Sequence, residues 1–392
     1  MSWKIIVADP IADEGIEALR AEATVDVRLK LKPEELIDAI GDYDALVVRS
    51  ETKATADVID AGTKLQVIGR AGIGVDNIDL EAATRKGIVV VNAPEGNFVS
   101  TAEHTLALLL GLARHIPQAC AKLRAGEWDR KAFMGTELRD KTLGIIGLGR
   151  VGSEVARLTK GLGMKLLAHD PYVSTGKAEQ LGVELVSLED LLKRSDFVTI
   201  HMPKVSGGKP FIGSDELAMV KPTVRFVNAA RGGIIDEQAL LEAVEEGKVA
   251  GAAIDVFTKE PATDNVLLKS DKIIVTPHLG ASPSEAQTNV ALGVAKQVLT
   301  VLRGQSPFHA VNVPLMAPEV ASVLTPFLPV ATDIGRLCTQ LADGHPSTIV
   351  IRCEGEIANY DMTALKAATL GGFMESFTEE RVNLVNATMI AD

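Results

Sequence analysis

Gly147-Leu148-Gly149-Arg150-Val151-Gly152 follows the apolar run Leu143-Gly144-Ile145-Ile146 and leads into Val151, Val155 and Leu158 at helical spacing. A G-x-G-x-x-G string alone is weak evidence. Between a strand and a helix it has a defined use: a tight turn, close approach of a diphosphate to the backbone, and close packing of helix on strand. The diphosphate then lies at a helix N-terminus, where unpaired N–H groups and the helix dipole favour an anion. A second strand ends in Ala168-His169-Asp170, with Asp170 18 positions after Gly152. That is the place for an acid that holds ribose hydroxyls. Its charge opposes a 2′-phosphate, and Pro171-Tyr172 follow it rather than an arginine, so the pattern favours NAD over NADP.

The alternation of strand and helix extends in both directions. Upstream, Ile5 to Ala8, Ala45 to Val48, Leu65 to Ile68 and Ile88 to Val91 are short β-rich runs. Helical patterns at Ala12 to Arg20, Pro33 to Ala39, Ala56 to Asp60 and Leu80 to Arg85 separate them, and a long apolar helix covers about Ser100 to Arg114. Downstream, strands are expected at Thr142 to Ile146, Lys165 to Ala168, Phe197 to Ile200, Val224 to Asn228, Ala250 to Val256 and Ile273 to Val275. Such alternation means βαβ units and parallel sheets. The helix expected from Ser284 to Leu302 is long enough to cross back to the first sheet. The expected architecture is α/β: two doubly wound parallel-sheet domains plus a small α+β C-terminal unit. The first domain, discontinuous, takes residues 1–98 and 285–313, the second 99–284, and the C-terminal unit 314–392.

The chain has 392 residues, 46% apolar and 23% charged, with a formal net charge of -12. That charge repels nucleic acid and acidic membrane surfaces, so neither is expected as a partner, and an anionic ligand needs a local basic cluster. Cys120, Cys338 and Cys353 are few, odd in number and without metal-ligand spacing, which fits free thiols in a reducing cytoplasm and no bound metal. No apolar run reaches the length of a membrane span.

Three residues lie just beyond strands of the second series. His278, in Thr276-Pro277-His278-Leu279-Gly280, stands where α/β sheets bind ligands and titrates in the range useful for proton exchange. A lone histidine is more often a packing or capping residue. Glu260, 18 positions upstream, would by itself read as a solvated turn carboxylate; beside His278 it can orient the ring and favour the imidazolium. Arg231, in Asn228-Ala229-Ala230-Arg231-Gly232-Gly233, offers a guanidinium fork for a carboxylate where glycines let a ligand approach.

Taken together, these motifs resemble those of the D-isomer-specific 2-hydroxyacid dehydrogenases, in matching order from about residue 3 to residue 313. The resemblance implies a flavodoxin-like substrate domain, a Rossmann NAD domain, and an active site in the cleft between them. It implies a homodimer, or a dimer of dimers, formed through the cofactor domains. It gives Arg231, Glu260 and His278 the roles argued above. It places Gly147, Gly149, Arg150, Val151, Gly152, Asp170, Pro203, Ala230, Asp255 and Gly280 around the cofactor, with Asp255 on the nicotinamide side and Pro203 on the adenosine side. The chain departs from the family pattern in His201 to Pro210, where Gly207-Gly208 replace a threonine-containing loop.

Arg49 ends one strand of the first series and Arg70 the next, so both point into one crevice. Singly, each would be a solvated surface charge. With Arg130, in Trp128-Asp129-Arg130-Lys131, they look like a site for a phosphate in an otherwise acidic protein. These stretches resemble the members of the family that act on a phosphorylated 2-hydroxy acid, with Gly72, Ile73 and Asn97 also at the substrate and Arg130 reaching a partner subunit's phosphate. Glyoxylate or hydroxypyruvate reductases of the family need no such arginines. A binding protein of the same fold, an NAD-sensing corepressor, is a third reading.

Beyond Pro314 the pattern changes. Helices are expected near Ala331 to Leu341 and Met362 to Phe377, with a strand near Thr348 to Cys353. Glu319-Val320, Ile349 to Glu356 and Val382 to Ala387 resemble the start of the intervening domain of longer family members. That domain normally precedes an ACT domain, and no ACT-like module is expected here.

Overall fold

The protein's structure, a computed structural model, describes residues 3–204, 209–305, 307–314, 318–342, 348–378 and 381–391. Val205 to Gly208, in the loop that departs from the family pattern, lie outside the described residues. The chain divides into one unit of Met1–Gly96 with Gln287–Asp392 and a second of Asn97–Ala286.

The first unit begins with β1 (Trp3–Val7), α1 (Asp13–Arg20), β2 (Ala23–Val27), α2 (Pro33–Ile40), β3 (Ala45–Val48), α3 (Ala56–Ala61), β4 (Val67–Arg70), α4 (Leu80–Arg85) and β5 (Val89–Asn92). Its sheet has the order β2-β1-β3-β4-β5, with every pairing parallel. Successive strand residues face opposite sides. Ile5, Val7, Ala45, Val47 and Val67 pack with Leu19, while Ile6, Leu46, Val48 and Ile68 pack with Leu36, Ile40, Val58 and Ile59. Burial on both faces is why these strands read as continuous apolar runs; each large aliphatic side chain so buried contributes about 1.5–3 kcal/mol.

The second unit carries α5 (Phe98–Arg114), α6 (Ile116–Arg124), β6 (Thr142–Ile146), α7 (Arg150–Lys160), β7 (Lys165–His169), α8 (Thr175–Leu181), β8 (Glu184–Leu185), α9 (Leu188–Arg194), β9 (Phe197–Ile200), α10 (Ser214–Ala218), β10 (Arg225–Asn228), α11 (Glu237–Glu245), β11 (Gly251–Ile254) and β12 (Ile273–Val275). The strand order is β12-β11-β10-β9-β6-β7-β8. It reverses between β6 and β9, and doubly wound sheets open a ligand crevice at the carboxyl ends of the strands at such a point. Leu143, Ile145 and Val227 pack with α5 and α7, and Ile146, Ile200 and Phe226 with α9 and α11.

The chain re-enters the first unit within α12 (Ser284–Leu302). Val290, Val294, Val298 and Leu302 cover one face of the first sheet. The approach is close: a Cβ on Gly69 would come within 2.6 Å of Val298 Cγ2.

The C-terminal residues form α13 (Pro318–Leu324), α14 (Phe327–Leu341), α15 (Thr363–Met374) and α16 (Ala387–Ala391). Helices α14 and α15 meet at backbone distance, since a Cβ on Gly372 would lie 2.0 Å from Thr332 O. The strand expected at Thr348 to Cys353 is not found: no described segment pairs with it. An apolar β-prone run becomes a strand only when a neighbour takes up its N–H and C=O groups. Asn383 Nδ2 donates to Gly87 O at 2.6 Å and Asn386 Nδ2 to Arg85 O at 3.2 Å, which fastens this segment to the turn after α4.

Candidate active site

In the second unit, the glycine loop has the geometry a diphosphate needs. Gly147 has φ 90°, and a Cβ there would sit 2.4 Å from His201 O. A Cβ on Gly152 would sit 2.1 Å from Gly147 O, so only glycine lets α7 start there. A Cβ on Gly149 would meet nothing within 4 Å. The loop is therefore tight on its protein side and open at Gly149, beside the N-terminus of α7. These residues fit a dinucleotide's diphosphate. Arg150 is exposed in the first turn of α7, and Val151 packs against the core. Asp170 follows β7, and its carboxylate accepts from Leu148 N at 2.8 Å and Tyr172 N at 2.9 Å. Asp170 is thus tied to the glycine loop. His201 follows β9; burial pushes its imidazole down to about 3, so it stays neutral, and Thr199 Oγ1 lies 2.9 Å from Nε2. Pro203 is exposed two residues on.

His278 and Glu260 are brought together. His278 Nδ1 lies 2.9 Å from Glu260 Oε2, and Phe257 N donates to Glu260 Oε1 at 3.0 Å. Burial pushes the Glu260 carboxyl up, but the bonds from His278 and the Phe257 N–H outweigh it and hold the acid below its ordinary range. With Nδ1 donating to Glu260, the ring presents an Nε2 lone pair on its opposite side.

His278 has φ 55°, an uncommon conformation for a side chain of this size. Asp255, fully buried, maintains it. Asp255 Oδ1 accepts from Thr276 Oγ1 at 2.6 Å and Leu279 N at 2.8 Å, and Oδ2 from Gly280 N at 3.0 Å. His278 N donates to Asp255 O at 2.9 Å, and His104 Nε2 on α5 stands 3.2 Å from Oδ1. Burial pushes the Asp255 carboxyl up, and the contacts from His104, Thr276 and Leu279 N more than reverse this. Sequence reasoning missed His104 and Thr276. The available signal was slight: His104 lies among other polar residues in the first half of α5, and Thr276 directly follows the apolar strand β12. Gly280 is held from both sides, its oxygen accepting from Thr101 Oγ1 at 3.3 Å.

Arg231 lies in the loop after β10. Asn228, nearly buried, shapes that loop: its Nδ2 donates to Arg231 O at 3.0 Å and its Oδ1 accepts from Ala230 N at 3.0 Å. Arg231 Nη1 donates to Ala230 O at 2.6 Å. A Cβ on Gly232 would fall 1.9 Å from Phe257 O, so glycine there lets the arginine loop lie against the segment that carries Glu260. Asn97, buried at the start of α5, has an Oδ1 with no hydrogen-bond partner among the described residues.

In the first unit, Arg49 and Arg70 stand at the carboxyl ends of adjacent strands, Val48 pairing with Arg70. The Gly72-Ile73 turn is fixed by Asn92 Nδ2 donating to Ile73 O at 2.6 Å and Ala93 N donating to Gly72 O at 3.0 Å. Arg70 folds over Gly72, where a Cβ would strike Nη1 at 1.6 Å. Arg130, in the second unit, is exposed beside Trp128, which is 79% exposed.

Residues 106–280 match the family model described as D-isomer specific 2-hydroxyacid dehydrogenase, NAD binding domain. Residues 323–392 match the D-3-phosphoglycerate dehydrogenase intervening domain. The chain is 47% identical over 389 residues to a D-3-phosphoglycerate dehydrogenase of Synechocystis sp., covering 99% of this chain and 70% of that protein. It is 46% identical over 390 residues to one of Archaeoglobus fulgidus, covering 99% and 74%. Among solved structures, a glyoxylate reductase from Paecilomyes thermophila is similar with a TM-score of 0.74 and 30% identity, over 79% of this chain and 98% of that one. A D-lactate dehydrogenase from Aquifex aeolicus, complexed with NAD and lactic acid, is similar with a TM-score of 0.70 and 27% identity, over 77% and 96%.

The chain belongs to the D-isomer specific 2-hydroxyacid dehydrogenases, in the group formed by the D-3-phosphoglycerate dehydrogenases. Its cofactor is NAD. The reaction is oxidation of D-3-phosphoglycerate to 3-phosphohydroxypyruvate, the first step of L-serine synthesis.

Proposed function

We propose that His278 is the acid/base of this reaction, Glu260 its orienting partner, and Arg231 the ligand of the substrate carboxylate. The observation that carries this is the 2.9 Å contact between His278 Nδ1 and Glu260 Oε2. In the oxidative direction the Nε2 lone pair takes the proton of the C2 hydroxyl. NAD, when bound, accepts the hydride from C2. The Glu260 carboxylate then faces the imidazolium that proton transfer creates. In reduction, protonated His278 returns the proton to the C2 oxygen.

Arg49 and Arg70 are assigned to the phosphate, with backbone groups at Gly72 and Ile73 and the acceptor Oδ1 of Asn97 assigned to the substrate. Gly147, Gly149, Arg150, Val151 and Gly152 are assigned to the diphosphate, Asp170 to the ribose, and Pro203, Ala230, Asp255 and Gly280 to the rest of the cofactor pocket. Asp255 acts there by shaping the His278 turn, since its own oxygens are occupied.

Residues 1–98 and 285–313 are assigned to substrate binding, 99–284 to NAD and 314–392 to the intervening domain. No described helix is long and apolar enough to cross a membrane. A cytoplasmic homodimer accords with the free cysteines and with a surface on which α6 buries no residue and Trp128 and Met134 are 79% and 80% exposed. Arg130 is then assigned to the substrate phosphate of the partner subunit.

A double-mutant cycle tests the pair. Glu260→Gln should lower kcat about 10- to 100-fold in the wild-type background and have little further effect in a His278→Gln background, because residues acting as a unit are non-additive. Effects that multiply would break the assignment.

A further inference from the structure

Strands β1 and β3 are paired in parallel, Val7 opposite Val47. Between them the strand order of the first sheet reverses, so the crevice at their carboxyl ends is where such a sheet takes a ligand. Arg49 stands on that rim, immediately after β3. What holds it there comes from two distant segments. Asp9, 1% exposed at the end of the β1 segment, accepts from Arg49 N at 2.6 Å, from Thr52 N at 3.1 Å on each oxygen, and from Thr52 Oγ1 at 2.5 Å. Asn77 Nδ2 donates to Arg49 O at 3.0 Å and to Thr52 O at 2.6 Å. Both backbone polar groups of Arg49 are therefore committed to side chains. Its guanidinium has no hydrogen-bond or ion-pair partner among the described residues.

Burying a carboxylate is costly unless every oxygen is engaged, and a turn can be closed by a neutral side chain of its own. Here a buried charge and a distant amide grip a segment, Arg49-Ser50-Glu51-Thr52, whose single cation is Arg49. A grip on the backbone with the guanidinium left available is what preorganised recognition of an anion requires.

We infer that Asp9, with Thr52 and Asn77, is a positioning residue that fixes Arg49 for the substrate's phosphate and so sets the preference for phosphorylated over unphosphorylated 2-hydroxy acids. The inference rests on the assignment of Arg49 to the phosphate made above. In Asp9→Asn one carboxylate oxygen becomes an amide N–H2 that faces the N–H of Arg49 or Thr52, and the turn loses one of its anchors.

The test compares 3-phosphohydroxypyruvate with hydroxypyruvate, each reduced by NADH, for the full chain and its Asp9→Asn, Thr52→Val and Arg49→Gln variants. Asp9→Asn should raise KM for the phosphorylated substrate about tenfold, since displaced recognition groups lose effect steeply. Its kcat, and both constants for hydroxypyruvate, should hold within about twofold. Thr52→Val removes only the hydroxyl bond and should shift the same KM in the same direction by less; it decides the matter if Asp9→Asn does not fold. Equal losses on both substrates would make Asp9 a general brace and overturn the inference. If Arg49→Gln lowers the preference while Asp9→Asn and Thr52→Val leave it, the positioning role is overturned and the phosphate assignment stands. If Arg49→Gln leaves the preference intact, the assignment itself fails, and the inference with it.

Discussion

The substitution Asp255→Asn keeps the shape of the side chain and changes only what one of its atoms can accept. In the wild type, Oδ1 serves Thr276 Oγ1 and Leu279 N, and Oδ2 serves Gly280 N at 3.0 Å, all out of contact with water. With the amide oxygen kept at the first position, the NH2 group faces the Gly280 N–H. A buried donor left facing a donor costs about 1–3 kcal/mol. Taking about 2 kcal/mol, a unit of this size should melt about 4–8 °C lower. The same loss frees the turn that keeps His278 at φ 55°, and a displacement of about 1 Å at a reacting group costs on the order of 100-fold in kcat. Thermal melting followed by circular dichroism and steady-state oxidation of D-3-phosphoglycerate measure the two effects. If melting stays within about 1 °C of wild type and kcat within about twofold, Asp255 does not hold the turn and the reasoning fails.

Other consequences can be checked separately. Glu260 and Asp255 both have folded-state pKa values held below the ordinary carboxylate range; such carboxylates stabilise the fold at neutral pH, and the contribution is lost as pH falls through the carboxylate range of about 4 and below. The stability gap between wild type and Asp255→Asn should therefore narrow on acidification from neutrality, as followed by denaturant titration at stepped pH; a gap independent of pH would contradict it. Gly149→Ala should fold normally, because its Cβ meets nothing, yet weaken NADH binding more than about tenfold by blocking the diphosphate. Gly152→Ala, 2.1 Å from Gly147 O, should lose both stability and binding. Melting curves and NADH fluorescence titration separate the two variants. Asn386 is fully buried, its Nδ2 donating to Arg381 O at 2.8 Å and Arg85 O at 3.2 Å. Asn386→Ala should speed tryptic cleavage at Arg381, and an unchanged digestion rate would show that this side chain does not secure the segment.

The sheets were legible because parallel strands covered on both faces spell continuous apolar runs, as Ala45–Val48 and Phe197–Ile200 do. The helix at Ser284–Leu302 was read to the residue. Two edge strands went unseen. Ala23–Val27 is largely uncovered and includes Asp26, and Glu184–Leu185 is too short to show a period. The apolar run at Thr348 to Cys353 showed the opposite failure, because β propensity without a partner does not make a strand. The glycine loop was legible because positive φ at Gly147 and backbone contact at Gly147 and Gly152 admit only glycine, while Gly149 leaves room for a ligand. The His278–Glu260 pair could be proposed from strand-end position, but its 2.9 Å contact needed the fold. His104 and Asp9 act through residues 151 and 40 positions away, and no local pattern announces such contacts.

The central claim is that His278 moves the proton of the reacting hydroxyl. It is tested most directly by measuring turnover of D-3-phosphoglycerate by His278→Gln together with NADH affinity of the same preparation. The account predicts a loss of about 1,000-fold or more in kcat, the scale of a removed general acid/base, with NADH affinity within about twofold of wild type. Turnover within about tenfold of wild type, with the cofactor still bound, would contradict it.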